Sequence, residues 1–158
     1  APWQFAVVTE IVNYVCWLGG QFIQSSDRRE LFVCGIDRIE RHERALLARM
    51  LNGGEGNAGL RNLPHVKVFL DYEDLSKRDL ILAVGFDHLG HTDAVREYES
   101  RGVIVYERVA SSLYSKRMLD SFGLEGAIRV SPLHCNSVAD IDRFLQITRQ
   151  ISDGTATS

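Results

Sequence analysis

The chain is 158 residues long, 45% hydrophobic and 25% charged, the size and composition of one globular domain. Its 18 basic and 21 acidic residues leave a net charge of −3, which excludes a general electrostatic pull toward nucleic acid or anionic membrane. The three cysteines, Cys16, Cys34 and Cys135, are odd in number and form no C-x-x-C pair, which excludes a zinc ribbon and speaks against a disulfide framework. With no basic segment ahead of the first apolar run, the expectation is a soluble, cytoplasmic protein.

The first element, Phe5 to Leu18, is apolar nearly all round and stops at Gly19-Gly20. Its length of 14 residues favours a buried helix and falls short of the roughly 20 apolar residues that cross a bilayer, so no membrane partner is expected. A helix apolar on every side calls for neighbours on every side. Ser26 is a candidate N-cap for a short helix from Asp27 to Cys34. A longer helix follows from Ile36 to Leu51, with Ile39, Leu46, Leu47 and Met50 on its apolar stripe and Asp37 and Arg41 as an i,i+4 pair. The Gly/Asn-rich stretch Asn52 to Asn57 ends it as a loop.

The second half alternates short strands and helices. Strands are predicted at Val66 to Leu70, Leu80 to Phe86, Val103 to Tyr106 and Ala127 to Ser131. Helices are predicted from a cap at Thr92 to Ser100, from Ser112 to Phe122, and from Ser137 onward. Ser137 and Asp140 have the spacing of a capping box, and Ile141, Phe144, Leu145 and Ile147 form the buried stripe behind it. The pattern implies an α+β fold, with N-terminal helices followed by a small, mainly antiparallel sheet that has helices packed on one face. One domain over residues 1–152 is expected, with a disordered tail at 153–158.

Few residues carry a chemical signal. Asp87, His88, His91 and Asp93 offer four potential metal ligands in seven positions. They fall where a strand turns into a helix, with no second cluster to complete a site, so no metal is expected. His134 and Cys135 are adjacent, without an acidic residue to orient the histidine, and read as loop. Neither Gly19-Gly20 nor Gly53-Gly54 matches a phosphate-binding fingerprint. The arginines at 28, 29, 38, 41, 44 and 49 are interspersed with acids, which suits a solvated helix face and not a nucleic-acid surface. Arg129 stands apart, a lone charge inside an otherwise apolar strand. A buried guanidinium needs a carboxylate, which is either a side chain of the protein or part of a bound ligand.

The run from Phe122 to Leu145, FGLEGAIRVSPLHCNSVADIDRFL, resembles the closing segment of class V aminotransferase-type enzymes. These are fold-type I pyridoxal-phosphate enzymes, among them cysteine desulfurases and isopenicillin-N-epimerase-like proteins. The resemblance rests on Arg129-x-Ser131, His134-Cys135-Asn136-Ser137 and Asp140-Ile141-Asp142. Ile39 to Leu51 and the stretch from Thr92 to Val109 are similar to further family elements.

The resemblance implies a C-terminal part of a longer, homodimeric enzyme acting on an amino acid. Arg129 would be the ligand of the substrate carboxylate. Arg108 and Tyr114 would face either substrate or solvent. Pyridoxal phosphate would be the cofactor of the complete enzyme, held by a large domain upstream. None of Lys67, Lys77 and Lys116 has the family's histidine-lysine context, so this chain would bind the cofactor without a covalent bond, if at all, and would be inactive alone. Desulfurases place a nucleophilic cysteine after the strand at Val103 to Tyr106. Here Glu107 to Tyr114 contains none, which disfavours that chemistry and leaves epimerase-, lyase- or transaminase-like reactions. The alternative is a stand-alone binding or dimerisation module without cofactor.

Overall fold

The computed structural model describes residues 2–154. The predicted tail lies largely outside them; Asp153 and Gly154 form a turn that ends the last helix. The chain divides into two compact units, residues 1–43 and 44–158.

The first unit is a pair of helices. α1 runs Pro2–Gly20 and α2 begins at Arg28 and continues to Asn52. The two helices predicted between Asp27 and Leu51 are thus one. Gly35, where a break was expected, lies inside α2 because a Cβ there would come within 2.2 Å of the Val15 carbonyl oxygen. Gly19 plays the matching part on α1, where a Cβ would lie 1.9 Å from the Leu31 carbonyl oxygen. Glycine at both positions lets the backbones approach, at a cost in helix propensity of about 1 kcal/mol each. The cap of α2 is Asp27 and not Ser26: its carboxylate accepts from the Arg29 N–H at 2.7 Å and its carbonyl from the Leu31 N–H at 3.1 Å. Val15 and Cys16 are buried, whereas Phe5 and Ile11 are 76% and 55% exposed, so most of the apolar surface of α1 lies uncovered.

The second unit is built on a sheet. The Gly/Asn-rich stretch closes a minimal hairpin of β1 (Gly53–Gly54) and β2 (Asn57–Ala58). Then come β3 (Val66–Phe69), β4 (Leu82–Phe86), α3 (His91–Ser100), β5 (Tyr106–Val109), α4 (Lys116–Ser121), β6 (Gly126–Val130) and α5 (Val138–Ser152). The four longer strands pair in the order β3-β4-β6-β5, every pair antiparallel. The α+β class and the small antiparallel sheet expected from the sequence are what is found.

One sheet face carries the core. Leu82 and Val84 of β4 and Ile128 and Val130 of β6 pack with Ala94 and Tyr98 of α3, Ile141, Phe144 and Leu145 of α5, and Leu46, Leu47, Met50 and Leu51 at the end of α2. Tyr98 and Phe144 stack at 5.6 Å. Thr148 donates its hydroxyl to the Phe144 carbonyl, so the buried Tyr98 hydroxyl, 2.8 Å away, must be the donor to Thr148 Oγ1. Burial holds the Tyr98 phenol protonated well above the usual tyrosine range.

Several boundaries differ from expectation. The strand predicted at Val103 starts only at Tyr106, because the Val103 N–H returns to the Tyr98 carbonyl to close α3 at 2.9 Å. Glu107 and Arg108, expected in a loop, are therefore in β5. Thr92 is not the cap of α3; Gly90 holds that position, and the Thr92 hydroxyl donates to Glu107 at 2.5 Å. α4 is a single short stretch, with residues 112–115 forming the turn that leads into it.

Candidate functional site

β6 is a central strand, so its alternation separates two environments. Ile128 and Val130 point into the core. Arg129 points to the other face, opposite Ala83 of β4 and Tyr106 of β5. Arg108 is the register partner of Ala127, so it shares that outer face with Arg129. Small side chains at Ala83 and Ala127 leave space on both sides of the arginine. A cleft of ≈ 510 Å³ results, walled by Phe69, Ile81, Met118 and Phe122 and containing Arg108 and Arg129.

The Arg129 guanidinium lies 5.6 Å above the Tyr106 ring, a cation–π contact. Its Nε is buried and has no hydrogen-bond partner. No side-chain carboxylate pairs with Arg129 among the described residues. Of the two partners open to it, the one inside the protein is therefore absent. Arg108 is exposed, in the strand beside it. Arg78, also on the cleft, is engaged with the Leu70 carbonyl oxygen. Tyr114 is 96% exposed in the turn ahead of α4 and does not line the cleft. The structure thus brings Arg129 and Arg108 together and leaves Tyr114 apart.

The residues that follow Arg129 hold the strand end in place. Asn136 Oδ1 accepts the Leu133 N–H at 2.8 Å, while the Asn136 N–H donates to the Leu133 carbonyl at 2.9 Å. Ser137 and Asp140 form the predicted capping box. The backbone N–H of Ser137, then its hydroxyl and the Asn136 amide, hold the Asp140 carboxyl below the usual range. Asp142 accepts two bonds from Arg49, Nε at 2.7 Å and Nη2 at 2.8 Å, which ties α5 to the end of α2 and lowers the Asp142 pKa. Sequence reasoning missed this pair and the Tyr106 platform. The signals were present: Arg49 interrupts the end of an apolar stripe, and Tyr106 alternates with Glu107 and Arg108.

The other candidates separate. Asp87 pairs with Lys67 at 2.7 Å, His88 meets the Ile151 carbonyl at 3.3 Å and the His65 ring edge-on, and the His91 ring fills the space above Gly126. No group of three or more His, Cys, Asp or Glu among the described residues is arranged to hold a metal ion. Cys135 is exposed, and buried Cys16 contacts the Arg28 carbonyl at 3.4 Å. No helix among the described residues is long and apolar enough to cross a membrane.

No protein-family profile and no curated protein matches the sequence. Solved structures do. The apo cysteine desulfurase of Thermococcus onnurineus NA1 superposes with a TM-score of 0.66 over 80% of this chain at 21% identity. The chain has the fold of part of a cysteine desulfurase. The cysteine desulfurase CsdA of Escherichia coli gives a TM-score of 0.60 over 86% of the chain at 16% identity. The chain spans about a third of those proteins, 29% and 33% of their lengths. The resemblance read from Arg129 to Asp142 is borne out at the level of the desulfurase fold.

Proposed function

We propose that residues 1–152 are one piece, the small C-terminal domain with its connecting helix, of a cytoplasmic pyridoxal-phosphate enzyme acting on an amino acid. In this reading Arg129 grips the substrate carboxylate. The observation that supports it is Arg129 itself, which lines an open cleft of a desulfurase-like fold, has no carboxylate partner among the described residues and keeps a buried Nε without a hydrogen bond. A planar guanidinium fork offers a carboxylate two parallel N–H bonds and so fixes orientation as well as position. The Tyr106 ring beneath it limits the guanidinium's freedom before substrate arrives. Arg108, from the same sheet face, and Tyr114, from the turn after β5, are proposed as further substrate contacts.

The residues of this chain do not fit the cofactor's aldehyde, which needs a lysine. Lys67 is paired with Asp87 and Lys116 with Asp120, Lys77 is exposed in a 3-10 turn, and none lines the cleft beside Arg129. No step through the cofactor is therefore assigned to this chain, and by itself it is proposed to be inactive. Desulfurase chemistry is not proposed either, since the segment from β5 to α4 carries no cysteine.

The test is Arg129→Lys in the complete enzyme, which keeps the charge and loses the fork. A hydrogen bond to a charged group is worth roughly 1.5–3 kcal/mol. KM should rise about 10- to 150-fold, with cofactor binding intact. An unchanged KM with lowered stability would return Arg129 to a structural role.

The exposed apolar side of α1 favours a second reading, a binding or dimerisation module. A homodimer is proposed under either reading. Sedimentation of the chain should show mass rising with concentration, and Phe5→Glu with Ile11→Glu should abolish the rise. A monomer at all concentrations would contradict it.

A further inference from the structure

We propose that the outer-face cleft selects a carboxylate with a large apolar body, so that the enzyme's amino-acid substrate carries a bulky aliphatic or aromatic side chain. This rests on the reading of Arg129 as the carboxylate ligand and adds what the rest of the ligand must be.

The cleft measures ≈ 510 Å³, within the 300–1,000 Å³ typical of small-molecule sites. Its walls are apolar and accessible: Ile81, Met118 and Phe122 are 53%, 49% and 52% exposed. Large apolar side chains gathered at that exposure mark a surface meant to be covered. The polar groups inside are few and of one sign. Arg129 and Arg108 lie diagonally on the same sheet face, while Arg78 is already engaged with the Leu70 carbonyl. A ligand with many hydroxyls or amides would lose its hydration without finding partners along Phe69, Ile81, Met118 and Phe122. A ligand with one anionic end and an apolar body satisfies both parts at once. The anion meets the two outer nitrogens of the Arg129 guanidinium, and the body covers the exposed wall.

Three probes separate the terms in titrations of this chain followed by NMR: acetate, 3-phenylpropanoate and the neutral 3-phenylpropanamide. Burying the phenyl and its methylenes should make 3-phenylpropanoate bind about 10- to 100-fold more tightly than acetate. The amide should bind about 10-fold or more weakly than the acid. Arg129→Lys should weaken both acids. Met118→Gln, a change at an exposed side chain, should weaken 3-phenylpropanoate and leave acetate alone. Equal affinity for the two acids, both sensitive to Arg129→Lys, would overturn the apolar selection and leave the carboxylate reading standing. Binding of 3-phenylpropanoate insensitive to Arg129→Lys, or matched by the amide, would overturn the carboxylate reading and this inference with it. Absence of binding by any probe would do the same.

Discussion

The two faces of the sheet are made from the same strands and have opposite characters. On the inner face, Val84 and Ile128 are completely buried, and the hydroxyl of Tyr98 has a place in a chain ending at a backbone carbonyl. On the outer face, one residue away along β6, Arg129 buries an Nε with no partner and large apolar side chains stay open to solvent. Buried polar groups in folded proteins are hydrogen-bonded with few exceptions, and the Arg129 Nε is such an exception. Alternation along a strand thus places a packed layer and an open, arginine-bearing layer about 3.3 Å apart in the chain.

The largest effect should come from the inner face. Ile128→Ala should cost about 2–5 kcal/mol, because the site lies between the sheet and α3 and α5 and cannot collapse freely. Chemical denaturation measures it; a loss below about 1 kcal/mol would mean that this face is not the core.

A smaller effect should appear at the rim, where Arg49 holds Asp142. The carboxyl of Asp142 is depressed first by the hydrogen bond from Arg49, so its contribution is complete above the ordinary Asp value of about 3.9 and is lost as pH falls through the depressed folded value. The Tm difference between wild type and Arg49→Met should be constant above about pH 5 and shrink toward lower pH. A difference independent of pH down to full unfolding would remove the pair from the account.

Much of the fold was legible because periodicity and caps are local signals. The stripe of α5 and the Ser137/Asp140 box are where the sequence places them. The errors were tertiary. Gly35 reads as a helix break, and only the approach of the Val15 backbone shows why glycine stands there inside a continuous helix. Thr92 reads as a cap but lies inside α3, where its hydroxyl donates to Glu107 of β5. At the site, Arg129 stood out as a lone charge in an apolar strand. Whether a carboxylate of the protein lies beside it depends on which side chains cross-strand register places there. Local pattern carries no such information. Arg49 likewise stands out at the end of an apolar stripe, but its partner Asp142, 93 positions away, is set by tertiary packing.

The central claim is that Arg129 serves a ligand and not the fold. The direct measurement is the stability of Arg129→Met in this chain, paired with acetate binding. Removing a guanidinium whose Nε has no partner should leave the Tm unchanged or raise it, since an unsatisfied buried group is replaced by an apolar one of similar length. Acetate binding should be lost in the same variant. A stability loss of about 3–5 kcal/mol, the signature of breaking a buried ion pair, would show that a carboxylate inside the protein holds Arg129 and would contradict the account.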